Sequence, residues 1–476
     1  MTQPIPIEEE RIAELNDAPI RNDADYVLYW MQAAQRAEHN EALELAVWHA
    51  NRLNKRLLVG FALDDTFPGT SARHKSFLID GLADIESTLH QRGIKFVVHL
   101  GPIPDLALKW SQDACLAITD VGYLRYQRTW RDTVADDAPC RVIAVETNLC
   151  IPVETVSDKA EFAARTIRPK IHRQLDRFLV ELPRLELVKH SLNLSITGED
   201  LSKPDALLDK LKVNTSIAPV PFFKGGTTAA KQLLDTFWAD KFKHYSAHRN
   251  QPQTDDTSHM SKYLRFGQIS PVWLTMQGKA NRTGSSEDRD DFIEELVVRR
   301  ELAYNFCWFT PDYDKYSCIP DWAKRTLDEH RDDPRDPQYT AKQLEDADTY
   351  DPYWNAAQRE MRYTGYMHNY MRMYWGKKIM EWSATPELAF ETMLDLNNKY
   401  HLDGRDPNSY VGVAWCFGIH DRGWTERPIL GKTRYMNANG LKRKADPDAY
   451  VRKVDRLVAL AKGEEPAEPV ADSLFA

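Results

Sequence analysis

Three tryptophans, a hydroxyl-rich loop and two clusters of carboxylates and amides carry most of the chemistry this 476-residue chain can offer. Trp375 and Trp382 stand seven residues apart in the run MHNYMRMYWGKKIMEW, residues 367–382. That is two helical turns, so both indoles share one face about 10 Å apart along the axis. Trp354 lies 21 residues before Trp375, on what reads as the preceding helix. Three indoles so placed can pass an electron between the surface and a buried redox group. The same stripe of aromatics and methionines also suits plain core packing, which is its commoner use.

Thr257, Ser258, His259, Met260 and Ser261 precede the apolar run KYLRFGQISPVWL. Small hydroxyl residues with free backbone amides at a helix start can cradle a phosphate, although they also cap ordinary helices. Tyr245 and Arg249 lie just upstream and offer an aromatic face and a cation. His244 and His248 have no acidic third ligand beside them, so no metal site is expected. In Glu294-Glu295-Leu296-Val297-Val298-Arg299-Arg300-Glu301, acids and arginines ride on an otherwise apolar helix. A carboxyl turned from there into a cavity would favour its neutral, hydrogen-donating form. Asn397-Asn398 and then Asp403-Gly404-Arg405-Asp406-Pro407-Asn408 form a second polar cluster, for which turn chemistry alone is a sufficient account. Trp415 follows in an apolar stretch.

These residues need a frame. Strand-like runs at 26–30, 56–63, 94–100, 115–119 and 141–145 alternate with helical stretches near 40–54, 71–92, 105–112 and 124–134. Strict alternation predicts a parallel sheet covered on both faces, so residues 20–150 read as a Rossmann-like α/β domain. The first strand is followed by MQAAQRAEHN, which contains no glycine, so the GxGxxG dinucleotide fingerprint is missing. Residues 151–225 are polar and Pro-punctuated and read as a linker with one or two helices, one of them near 169–181. Residues 226–460 are helical in pattern, and 461–476 have the composition of a disordered tail. The predicted fold class is an α/β domain with a parallel sheet followed by a large all-α domain.

Net charge is −9, which argues against a protein that coats nucleic acid indiscriminately. Between Arg422 and Lys444, however, seven basic residues face Glu426 alone, a balance of +6 over 23 residues. Such a patch suits an anionic polymer engaged at one place, or is simply a solvated face. The six cysteines form no CxxC pair, which fits a reduced compartment. No apolar run is long enough to span a membrane. The acidic start resembles no secretory or transit peptide, so a cytoplasmic protein of a bacterium or archaeon is expected.

Taken together, YMRMYWGKKIMEW, LDLNNKYHLDGRDPNSYVGVAW, HDRGWTERPILGKTRYMN and LKRK resemble the class II cyclobutane pyrimidine dimer photolyases. VVRREL, SKYLRFGQISP and YVLYWMQAAQR agree, and the likeness runs in order from about Tyr26 to about Tyr450. The resemblance implies an α/β antenna domain and a helical domain that holds FAD, the reduced form being active. It implies light-driven electron transfer to a pyrimidine dimer flipped out of UV-damaged DNA, a lyase reaction without net redox change. By position, Trp375 would be the indole nearest the flavin, Trp354 the middle one and Trp382 the exposed end. Asn397 would face flavin N5, with the Arg372–Asp403 ion pair beside the ring. Thr257, Ser258, Met260 and Ser261, with Tyr245, would hold the pyrophosphate and its neighbours. Glu295 would hydrogen-bond the dimer as a neutral carboxyl, and Met373 and Trp415 would pack on its bases. Arg422, Lys432, Arg434, Lys442, Arg443 and Lys444 would contact phosphates.

Glu301 is read as structural. Some relatives carry an 8-hydroxy-5-deazaflavin antenna, on which the sequence is silent. A monomer is expected. The rival reading is a cryptochrome-like photoreceptor with the same fold and no repair activity. Glu295, Asn397, Met373 and Trp415 favour repair over it.

Overall fold

The computed structural model describes residues 4–64 and 70–466. Six strands form one sheet in the order β1-β6-β5-β2-β3-β4. They are β1 (Ile12–Glu14), β2 (Tyr26–Met31), β3 (Arg56–Leu63), β4 (Lys95–Leu100), β5 (Ala114–Asp120) and β6 (Arg141–Val145). The last five are parallel, as their alternation with helices predicts. The sheet as a whole is mixed, because β1 pairs antiparallel with β6 and extends the sheet N-terminal to residue 20. Three residues that are half-buried or exposed show no apolar period, so β1 leaves no trace in the sequence pattern.

Val27, Tyr29 and Met31 of β2 face α1 (Glu41–Leu53) and α2 (Ala72–Gln91). Tyr26, Leu28 and Trp30 face the opposite layer, formed by α3 (Ile103–Ser111) and α4 (Arg125–Asp137). Both faces are thus covered, which is what a parallel sheet requires. At the C-terminal edge of β2, Asp120 accepts hydrogen bonds from the backbone amides of Gln32, Ala33 and Ala34. Amides that a GxGxxG turn would offer to a phosphate are taken here by the chain's own carboxylate.

Residues 151–225 do not hang free. Leu187, Leu201, Leu207, Leu211 and Phe223 enter the same core as α2; the longest helix in this stretch runs Ala164–Phe178, with Pro169 inside it, between the short Val153–Val156 and Pro204–Asp209 helices. Beyond Thr227 the chain is helical apart from loops. The largest departure is a hairpin-like segment, where Trp424 N–H donates to Lys432 O and Arg427 N–H to Gly431 O. The last helix, Pro447–Lys462, reaches into the stretch expected as tail, and residues 467–476 lie outside the described ones. No helix of the described residues is long and apolar enough to cross a membrane.

Four helices frame the polar centre: Pro352–Thr364, Asn369–Trp382, Pro386–Tyr400 and Pro407–Cys416. Asp351, His368, Thr385 and Asp406 cap their N-termini through side-chain acceptors. Three of the four begin with proline, whose fixed φ and missing N–H suit a first helical position. Gly376 lets the Asn369–Trp382 helix close on its neighbour, since a Cβ there would lie 2.6 Å from Cys416 Sγ.

The sheet region grips these helices. Arg73 of α2 donates to the carbonyls of Met361, Arg362 and Tyr400, where a cation suits two helix C-termini. His74 Nε2 hydrogen-bonds His401 O at 2.9 Å, so α2 also sets the turn that follows Asn397.

Candidate active site

The hydroxyl-rich loop is braced from three sides. His259 adopts a left-handed backbone (φ 55°) and its Nε2 bonds Asp255 Oδ1 at 2.8 Å, while Lys241 Nζ reaches Asp255 Oδ2 at 2.8 Å. Lys453 donates to Thr254 O at 2.6 Å and Lys262 to His259 O at 2.9 Å. Met260 is buried, whereas Thr257 and Ser258 are half-open and Ser261 is exposed. Tyr366 ties the loop to the helices, with its hydroxyl 3.5 Å from Thr257 Oγ1 and its ring 4.8 Å from that of His259. Tyr245 stands behind, packed among Phe237, Phe242 and Phe292.

Arg372 Nη2 donates to Asp403 Oδ2 at 2.8 Å, joining the Asn369–Trp382 helix to the turn after Pro386–Tyr400. Burial alone would raise the Asp403 carboxyl, but the guanidinium holds it well below the usual carboxylate range. Burial pushes the Lys262 ammonium down to about 7. Asn397 is buried: its Oδ1 bonds His401 Nδ1 at 2.9 Å, and its Nδ2 donates to Ser409 Oγ and to Asn398 Oδ1. Burial and the nearby Arg372 hold the His401 imidazole far below its ordinary value, so it is neutral. Asp403 Oδ1, His401 Nε2 and His368 Nε2 are buried without a hydrogen-bond partner among the described residues. Open hydroxyls, buried cations and unspent polar atoms in one place fit a phosphorylated heteroaromatic ligand.

One helical turn from Arg372 stands Trp375, whose Nε1 donates to the buried Gln358 Oε1 at 2.8 Å. Trp354 Nε1 donates to Trp375 O at 3.0 Å, and the Trp354 ring meets Trp382 edge-on with centroids 5.5 Å apart. Trp354 therefore links the other two, meeting Trp375 at its backbone carbonyl and Trp382 ring to ring, in the order 375, 354, 382. Trp382 is not their exposed end, because it is only 1% exposed. Tyr339 and Tyr350, from the segment before Pro352–Thr364, close over it with ring centroids 5.2 and 5.7 Å away.

Glu295 sits in a π-helical turn, Glu294–Arg299, between the helices Ser286–Ile293 and Arg300–Phe309. Its side chain is 36% exposed and pairs with Arg249 Nη1 at 2.7 Å. It is thus a paired carboxylate at a rim, where a lone carboxyl in a dry pocket was expected. Met373 and Trp415 are half-open. Glu301 lies wholly inside, where its Oε1 accepts from Cys150 N–H and Ile151 N–H.

Arg422, Lys432, Lys442, Arg443 and Lys444 are exposed. Arg434 differs, because its Nε and Nη2 are spent on Asp421 at 2.9 and 3.0 Å and its guanidinium lies 4.2 Å from the Trp424 ring centre. It positions aromatics rather than offering a free fork. His248 bonds Asp256, and the described residues hold no metal-ligating cluster. The sequence reading missed the Arg249–Glu295 pair, the His401 brace on Asn397 and the tyrosine cover on Trp382. Only the i, i+4 spacing of Asn397 and His401 was there to find.

A mixed sheet with helices on both faces and a helical region bearing this polar centre is the two-domain architecture of photolyases and cryptochromes. A class III photolyase from Agrobacterium tumefaciens superposes with a TM-score of 0.70 at 20% identity, over 91% of this chain and 86% of that one. An archaeal photolyase from Sulfolobus tokodaii, whose structure holds two FAD molecules, gives 0.68 at 15% identity over 94% and 96%. A sequence model described as DNA photolyase matches residues 27–187. A protein of Methanothermobacter thermautotrophicus named deoxyribodipyrimidine photo-lyase is 46% identical over 452 residues, covering 95% of this chain and 99% of its own length. The chain belongs to the DNA photolyase family.

Proposed function

We propose that the protein is a class II photolyase that uses light and FAD to split cyclobutane pyrimidine dimers in UV-damaged DNA. The observation that carries the reading is the run Trp375-Trp354-Trp382, joined by a hydrogen bond to the Trp375 carbonyl and one ring contact, which starts one turn from the Arg372–Asp403 pair. Ordinary packing does not require an indole path to begin beside an ion pair. The near full-length relative named deoxyribodipyrimidine photo-lyase supports the lyase assignment. FAD fits the unspent donors and acceptors of the centre, and when bound it supplies light absorption and the transferred electron.

Thr257, Ser258 and Ser261 would hold its phosphates with the Met260 amide, and Tyr245 would back them. Arg372, Asp403 and Asn397 would border the ring, the amide of Asn397 being fixed in direction by His401. Glu295 would bond a flipped dimer, and Met373 and Trp415 would pack on its bases. Exposed Arg422, Lys432, Lys442, Arg443 and Lys444 would meet phosphates, with Arg434 bracing Trp424. A flipped dimer costs less to unstack than an intact pair, which aids selectivity. Residues 12–150, with β1 included, would form the antenna domain, 151–225 the crossing segment and 226–462 the catalytic domain, in a monomeric cytoplasmic enzyme. An 8-hydroxy-5-deazaflavin antenna belongs to the same proposal and is tested by extracting the pigment.

The deciding experiment is repair of an oligonucleotide carrying one thymine dimer, by photoreduced protein, in light and in darkness. Absorbance near 260 nm returns as the bases are restored, and light-dependent recovery is expected. A flavin-loaded, photoreducible protein that repairs nothing would instead be a photoreceptor.

A further inference from the structure

We propose that Tyr350 is the terminal electron relay of the indole path, oxidised at the surface when Trp382 has lost an electron. The inference rests on the reading of Trp375, Trp354 and Trp382 as a path. Trp382 is 1% exposed and has no direct access to a reductant in solution. Tyr350 is 62% exposed and covers it. The Tyr350–Trp382 rings meet at 5.7 Å and 65°, nearly the geometry of the Trp354–Trp382 step at 5.5 Å and 69°. The path therefore continues by one more contact of the same kind and ends in a ring that water can reach.

Tyr339 also touches Trp382, at 5.2 Å. Its hydroxyl, however, accepts the Tyr350 backbone N–H at 3.0 Å, and the residue is half-buried. An oxidised phenol must lose its proton, and only Tyr350 stands in open water. Partial burial keeps the Tyr350 phenol above its ordinary value, so it carries that proton at neutral pH. A surface hollow of about 310 Å³ lined by Tyr350, Tyr353, Lys378 and Tyr435 gives a small reductant room beside the ring.

One electron passes from the Tyr350 phenol to the Trp382 radical cation, and the phenolic proton leaves to water. Trp382 returns to its closed shell and a neutral phenoxyl radical remains on Tyr350. A small thiol then returns one electron and one proton, and the resulting thiyl radicals pair as disulfide.

The test is electron paramagnetic resonance of flavin-loaded protein illuminated in the oxidised state, with and without dithiothreitol. Wild type is expected to give a tyrosyl signal that dithiothreitol removes. Tyr350→Phe is expected to lose that signal, to show a tryptophan radical in its place and to lower stable photoreduction several-fold. Tyr339→Phe is expected to keep the tyrosyl signal, and circular dichroism checks that each variant is folded. A tyrosyl signal that survives in Tyr350→Phe, or that vanishes only in Tyr339→Phe, overturns the inference. So does a wild type without any tyrosyl signal. Trp382→Phe separates the two readings: if it loses photoreduction while Tyr350→Phe matches wild type, the path stands and its tyrosine end falls. If Trp382→Phe also matches wild type, the path itself is wrong.

Discussion

Arg249 Nη1 donates to Glu295 Oε1 across 2.7 Å, and the same guanidinium reaches Asp291 Oδ2 through Nε at 3.0 Å. One cation thus holds two carboxylates of neighbouring turns, and Glu295 is aimed before any ligand arrives. In Glu295→Ala, Arg249 keeps Asp291, so no charge is left unpaired. Because the pair is partly exposed, the stability cost should stay within about 1 kcal/mol. Loss of one charged hydrogen bond to the reacting dimer, about 1–2 kcal/mol, should lower the repair yield about fivefold or more. Glu295→Gln should retain more of it. Repair quantum yields beside urea midpoints check this; an unchanged yield removes Glu295 from the site.

On the proposed reading the indole path brings electrons in from outside, whereas repair needs only a reduced cofactor. Trp354→Phe should therefore slow photoreduction sharply, yet leave repair by chemically reduced protein near wild type. Trp354 is fully buried and donates to Trp375 O, so the variant should also lose about 1–3 kcal/mol of stability. Photoreduction and repair after dithionite treatment are measured on one preparation. If both activities fall together, the tryptophan is structural only.

Burial pushes the Glu301 carboxyl from 4.5 up to about 7, against the pull of two backbone amides and Arg300. The folded state keeps a proton there that the unfolded chain releases, so stability falls as pH rises from about 4.5 through 7. The contribution is on the order of 3 kcal/mol. Burial raises Glu146, bonded to Tyr123 and Val153 N–H, to about 7 as well, and it acts in the same sense. Glu301→Gln keeps the carbonyl acceptor for Cys150 and Ile151 without titrating. The variant should gain on wild type in urea unfolding at pH 8 and not at pH 5. Parallel pH profiles for the two proteins would rule the linkage out.

The central strands were legible because each is buried on both faces and bounded by a helix, which leaves an unbroken apolar run. β1 was not, since three edge residues impose no period. Trp375 and Trp382 could be placed on one face from their spacing alone. That Trp354 touches Trp382 depends on how two helices cross, which no local pattern encodes. Arg372 and Asp403 are 31 residues apart, and Arg249 and Glu295 46, so only the fold brings these charges together. For Asp403 the resemblance supplied the partner, and for Glu295 it did not.

Lys442, Arg443 and Lys444 project from one short helix, Ala438–Lys444, capped by Asn437. They are exposed and make no ion pair with a carboxylate among the described residues. Arg434 instead has its guanidinium committed to Asp421. Each phosphate contact contributes about 0.9 to the slope of log affinity against log salt on duplex DNA. Replacing all three residues by alanine should thus weaken binding at low salt on damaged and undamaged DNA alike, and reduce the slope by about 2–3. Arg434→Ala should leave the slope nearly unchanged and instead weaken preference for the dimer, because Trp415, whose ring centre lies 5.1 Å from the same guanidinium, loses its brace. Fluorescence anisotropy titrations over a salt series measure both quantities. A slope insensitive to the triple change would move the DNA-binding face away from this helix.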